Sequence, residues 1–238
     1  MFSLLLFCLA VMPGHAAMAR AGGGGGGGAG GGGGGGGAVG AAGYSDGGQQ
    51  SSPISDVLFI VLFVAFASGG AIVYFLKVHE KGAKASHEMK QLEKVDPSWN
   101  FEDYKATIET IFYKVQNAWM ERDEDLAKDC MSHNLYDQYR TKSEWMIVRH
   151  EKNILNNLKL REAVPVDIED CAGSKNDAIW VYIKASAADY TVDDQTMQLK
   201  TGSKISKIFE EYWKLIIEDN RWVLDEIRQK DEVNLDSI

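Results

Sequence analysis

Phe209-Glu210-Glu211-Tyr212-Trp213-Lys214-Leu215-Ile216-Ile217-Glu218-Asp219-Asn220-Arg221-Trp222-Val223-Leu224-Asp225-Glu226-Ile227 is the stretch that decides the fold. Two runs rich in aromatic and β-branched residues flank Asp219-Asn220, a pair that tolerates positive φ and suits a two-residue primed turn. That turn sets a register. Glu218 faces Arg221, Lys214 faces Asp225 and Glu211 faces Arg228, so one turn assignment produces three opposite-charge pairs. It also sorts the side chains. Trp213, Leu215, Ile217, Trp222 and Leu224 share one face, and Tyr212, Ile216, Val223 and Ile227 share the other.

Outward from the hairpin, the preceding strands read as residues 158–169, interrupted by Pro165 at a bulge or edge, and 178–190, where Ile179, Val181 and Ile183 alternate with Trp180, Tyr182 and Lys184. Residues 173–177 read as a turn and 191–202 as a loop. Before them the period is helical. Asp96-Pro97 supplies an N-cap with proline at N1. Phe101, Tyr104, Ile108, Ile111, Phe112, Val115 and Trp119 then recur at helical spacing. A short helix opens at Arg122-Asp123-Glu124-Asp125, with acids where the helix dipole favours them. A third covers about 133–151, with Leu135, Tyr139, Trp145, Ile147 and Val148 as its apolar positions. Helices followed by an antiparallel sheet make an α+β class.

The rest of the chain is unlike this domain. Of 25 glycines, 20 lie before Pro53. Residues 1–19 carry an apolar run and then small residues, the pattern of a signal peptide, although its start lacks Lys and Arg. Residues 20–53 form a glycine-rich segment expected to be disordered, because oligoglycine maximises backbone entropy and buries nothing. Residues 57–76 are uncharged and, as a helix, reach about 30 Å, the thickness of a bilayer core; the membrane segment is set at 54–77. Ala65/Gly69 and Ala67/Ala71 have small-xxx-small spacing, which favours packing of two copies into a homodimer.

Residues 78–94 read as a lysine-rich juxtamembrane linker. Lys77, Lys81 and Lys84 are candidates for contact with anionic lipid. With no Lys or Arg from 38 to 56 and five lysines from 77 to 94, positive-inside logic puts the C-terminal side in the cytoplasm and the N-terminus outside. The expected location is therefore a cell inner membrane, crossed once.

Charge and motifs narrow the chemistry. Net charge is −9, and residues 95–238 alone carry −10, which argues against a nucleic-acid partner. Cys8, Cys130 and Cys171 make no disulfide framework. Cys130 and His133 have metal-like spacing but lack a further ligand pair, so no metal is assigned. No nucleophile elbow, phosphate loop or dinucleotide fingerprint occurs, so no catalytic residue and no cofactor is assigned. Asp189 and Tyr190 are strand neighbours that point to opposite faces.

Several of these residues carry a resemblance. Glu211-Tyr212-Trp213, Trp222-Val223-Leu224 and Ile227-Arg228-Gln229 resemble the end of the Tim44-like domain. Asp96-Pro97-Ser98-Trp99, Gln116-Asn117-Ala118-Trp119, Asn134-Leu135-Tyr136 and Ala188-Asp189-Tyr190 agree with it in order and spacing. The resemblance spans 95–230 and leaves 231–238 as a tail. It implies an NTF2-like cone, with three helices packed on a curved antiparallel sheet of about four strands, preceded by one transmembrane helix. It also implies a binding or scaffold module held at a membrane, touching lipid and other membrane or translocase proteins, and assisting protein translocation or membrane-protein assembly. The competing reading is a small-ligand site or enzyme inside the cone. If helices cover only the Trp213 face, then Tyr212, Ile216, Val223 and Ile227 form an exposed apolar stripe and the expected partner-binding surface; the alternatives are that another helix covers the stripe or that a bulge shifts the parity.

Overall fold

The turn forms as expected. Asp219 and Asn220 have φ of 51° and 58°, and Glu218 lies opposite Arg221. This computed structural model describes residue 21 and residues 53–171 and 177–238, without the side chains of 53–68, 101 and 102. The signal peptide, nearly all of the glycine-rich segment, the Phe101 side chain and most of the 173–177 turn lie outside the described residues.

Helix α1 is Pro53–Leu92, α2 is Phe101–Glu121 and α3 is His133–Val148. The strands are β1 (Glu151–Glu169), β2 (Ala178–Asp193), β3 (Leu199–Gly202), β4 (Lys207–Glu218) and β5 (Arg221–Gln229). They form one antiparallel sheet in the order β1-β2-β4-β5, with β3 paired to β2. The fold is α+β. The sheet has one strand more than expected, because part of the 191–202 loop pairs with the end of β2. The expected second helix is a 3₁₀ segment, Glu124–Cys130, whose Asp123 cap accepts from Asp125 N. Asp96 caps not α2 itself but the short 3₁₀ turn Pro97–Trp99 before it.

The face of the sheet on which α2 packs holds the main core. From α2, Tyr104, Ile108, Ile111, Phe112, Val115 and Trp119 are buried in it, against Ile179, Val181, Ile183, Trp213, Leu215 and Leu224. Three register shifts interrupt the β1–β2 pairing, one of them beside Pro165.

Helix α3 turns differently from the expectation. Leu135, Tyr139, Ser143 and Met146 are buried, whereas Trp145, Ile147 and Val148 are exposed at 56%, 49% and 68%. The spacing 135, 139, 143, 146 is the true apolar stripe. Ser143 escapes notice there because it is polar, and it sits inside by donating to Glu124 Oε1.

The opposite face of the sheet is covered as well. Residues 78–92 are no linker but belong to α1, with Val78, Gly82 and Ala85 buried, while Met89, nearer its C-terminal end, joins the main core. A Cβ at Gly82 would come within 2.3 Å of Val164 Cγ1, so glycine permits this close approach of helix and strand. Tyr74 and Val78 join Val166, Trp180, Tyr182, Tyr212 and Leu235 in a second apolar cluster. Burying Val78 and Met89 contributes about 3–6 kcal/mol before entropic costs.

Candidate functional site

A bulge between Lys214 and Leu215 rearranges the hairpin beyond its turn. Leu215 faces Leu224, but Lys214 faces Glu226 rather than Asp225, and Glu211 faces Gln229 rather than Arg228. The extra residue also exchanges the faces. Ile227 now lies opposite Trp213 and packs on the main core. Of the four residues expected to form an exposed stripe, Ile227 therefore leaves it, while Tyr212, Ile216 and Val223 stay on one face. Tyr212 is wholly buried under α1, with its hydroxyl bonded to that of Tyr74. Val223 is buried, and Ile216 and Ile227 are half-buried. Expecting exposure failed because no helix was assigned to that face.

The lysines proposed for lipid contact have partners within the chain. Lys77 pairs with Asp236 at 2.5 Å, Lys84 pairs with Glu80 at 2.7 Å, and Lys81 donates to the Ile238 carbonyl. Cys130 is buried, and burial together with the neighbouring Asp129 pushes its thiol up to about 11. His133 pairs instead with Glu218. Asp189 accepts from Asn153 Nδ2 at 3.0 Å, and Tyr190 accepts from Asn156 Nδ2 at 2.9 Å, so the two take part in separate strand-end contacts.

The polar groups that do converge lie between the helices and the sheet, on the side of the main core. Glu211 shares the parity of Trp213 and so points inward, where it is fully buried. Its carboxylate accepts from Trp213 Nε1 at 3.0 Å and from Gln229 Nε2 at 3.0 Å. Gln116, on the buried side of α2, is also fully buried. Its Oε1 accepts from Ala21 N at 3.3 Å, while its Nε2 has no partner. The Tyr139 hydroxyl, from α3, donates to the Ala21 carbonyl. Burial, and then the charge of Glu211, raise the Tyr139 hydroxyl pKa, so this group stays a donor at ordinary pH.

A cavity of about 420 Å³ opens beside Ala21 between α3 and β5. Its rim carries Asp225, Glu226 and Glu232 against the single base Lys142. This interior polar set was not singled out from sequence. The available signals were Gln116 falling four residues after Phe112, and Glu211 falling two before Trp213.

The family model for the Tim44-like domain matches residues 85–229. The chain belongs to the Tim44-like domain family. The match begins within α1, consistent with Ala85 and Met89 being part of the domain's core. No curated protein matches the chain. Among solved structures it is similar to the crystal structure of the intermembrane space region of the chloroplast protein ARC6, at 9% identity and a TM-score of 0.37, covering 52% of this chain and 94% of that one. The matched residues thus include the main core on the α2 side of the sheet, the interior polar set and α1 from Ala85 onward. Among the described residues, no helix is long and apolar enough to cross a membrane; the side chains of 53–68, in the first part of α1, lie outside them.

Proposed function

We propose that this protein is a membrane-tethered Tim44-like binding module, crossing an inner membrane once through residues 57–76. The domain stands on the cytoplasmic side and the N-terminus outside, and the module docks proteins of a translocation or membrane-assembly apparatus. The observation that carries the reading is the continuity of α1. Forty helical residues measure about 60 Å, twice the hydrocarbon thickness. The uncharged residues take up half of that length, and the part from Val78 onward is packed on the sheet. Whatever fixes the first half in a bilayer therefore fixes the domain directly, with no flexible joint between them.

Two measurements on the full chain in native membranes test the proposal. Alkaline carbonate should leave the protein in the pellet. A photo-reactive residue at Trp145, exposed on α3, should cross-link to translocase or insertase subunits. Release by carbonate contradicts the tether. Cross-linking to no membrane protein contradicts the docking role.

A further inference from the structure

Residues 233–238 lie on the α1 side of the sheet, and few contacts hold them there. Leu235 is 5% exposed and belongs to the outer apolar cluster with Val78, Val166, Trp180, Tyr182 and Tyr212. Among the described residues, the segment's polar contacts with the rest of the domain go to two lysines of α1. Asp236 pairs with Lys77 at 2.5 Å, and the Ile238 carbonyl accepts from Lys81. The segment belongs to no strand of the sheet, and two of its backbone donors bond within it, Asp236 N to Asn234 Oδ1 and Ser237 N to the Asn234 carbonyl. The clasp is open to water. The Lys77 side chain is 43% exposed and that of Asp236 66%, where an ion pair contributes little and salt screens it. Lys77 and Lys81 are also the first two lysines after the uncharged stretch 57–76, whereas residues 230–238 carry three acids against one lysine. An anionic membrane surface beside Lys77 therefore attracts the lysines and repels the segment they hold.

We propose that residues 233–238 are a releasable strap across α1, and that anionic lipid headgroups free it by taking Lys77 and Lys81 from it. This rests on the membrane-tethered reading, which puts Lys77 at the bilayer boundary and Lys81 about one helical turn beyond it. Beside a neutral bilayer, Leu235 stays in the outer cluster and the strap is closed. Beside an anionic one, the lysines turn to the headgroups, like charge drives the segment off, and Leu235 leaves. The apolar place it vacates, in the cluster of Val78, Trp180 and Tyr182, then opens next to the membrane under the control of lipid charge.

The test uses the full chain reconstituted in lipid nanodiscs, with a nitroxide amino acid at the exposed Ser237, read by electron paramagnetic resonance. The label should be immobilised in phosphatidylcholine discs. Its mobile fraction should rise about fivefold in discs rich in phosphatidylglycerol. Leu235→Ala should raise it in both. Lys77→Gln together with Lys81→Gln should abolish the difference between the discs. Inorganic phosphate added to phosphatidylcholine discs should release no more of the strap than sodium chloride at equal ionic strength. A label equally mobile in the two lipids, or unmoved by Leu235→Ala, would overturn the proposal, and so would a lipid response that survives the double variant. Phosphate matching phosphatidylglycerol would overturn it too, because the anion would then not be the bilayer's. Carbonate extraction separates the two readings. A pelleted chain whose label ignores the lipid contradicts the strap alone, whereas a chain released by carbonate contradicts the tether and the strap with it.

Discussion

Gly82 shows how one residue positions a helix. A glycine inside a helix costs about 1 kcal/mol relative to alanine, so its presence in α1 calls for a reason. The reason is Val164, whose Cγ1 occupies the space a side chain would need. Gly82→Leu is expected to push α1 away from β1 and lower stability by about 1–3 kcal/mol. Thermal unfolding should register that as a fall of several degrees in Tm. An unchanged Tm would mean that α1 is not held against the strand. Val78, Gly82, Ala85 and Met89 lie four, three and four residues apart, the spacing of one helix face. That stripe was legible in principle. Five lysines among residues 77–94, and the small size of Gly82 and Ala85, made the segment read as a charged linker instead.

At the level of elements, legibility depended on how local the determinant was. The Asp219-Asn220 turn and the ends of β5 follow from turn chemistry alone. The bulge at Lys214/Leu215 does not, because it satisfies the packing of Trp213 against α2 and of Tyr212 against α1, both distant in sequence. The start of β1 at Glu151 was hidden similarly: Asn153, Asn156 and Asn157 have poor strand propensity, and pairing with β2 overrides it. Helices α2 and α3 end at Arg122 and at His150 in left-handed conformations without glycine, which removes the usual stop signal.

The β2–β3 connection has its own local determinant. Asp193 accepts from the backbone of Thr196 at 2.9 Å and of Gln195 at 3.1 Å, and it pairs with Lys200 at 3.3 Å. The Thr196 backbone bond leads in holding its carboxyl down at about 2. A carboxylate lowered on folding adds stability above its unfolded value, near 3.9, and that stability is lost as pH falls toward 2. An NMR titration of the Asp193 carboxyl carbon should place its midpoint near 2. A midpoint near 3.9 would show that the turn does not hold it.

Across the whole molecule, two apolar clusters lie on opposite faces of one sheet, and the elements that cover them differ in kind. Helices α2 and α3 cover one side, where Gln116 and Tyr139 bond to the buried Ala21. Helix α1 crosses the other side and carries on toward residues 57–76. The closing hairpin is common to both: Trp213 serves the inner core and Tyr212 the outer, so neither face was free for the docking role first expected of it. Family and fold class were legible because the hairpin, the α2 stripe and their spacing are local patterns. The interior site was not, because it joins Gln116, Tyr139 and Glu211 from three separate elements.

We propose that α1, continuous from Pro53 to Leu92, joins the apolar segment to the Tim44-like domain as one rigid piece. Amide hydrogen exchange of the full chain in lipid nanodiscs tests it most directly. The amides of Val78, Gly82, Ala85 and Met89 should be protected to the same degree as those of Val181 and Trp213 in the sheet. Exchange of residues 78–89 within seconds, while the sheet remains protected, would contradict it.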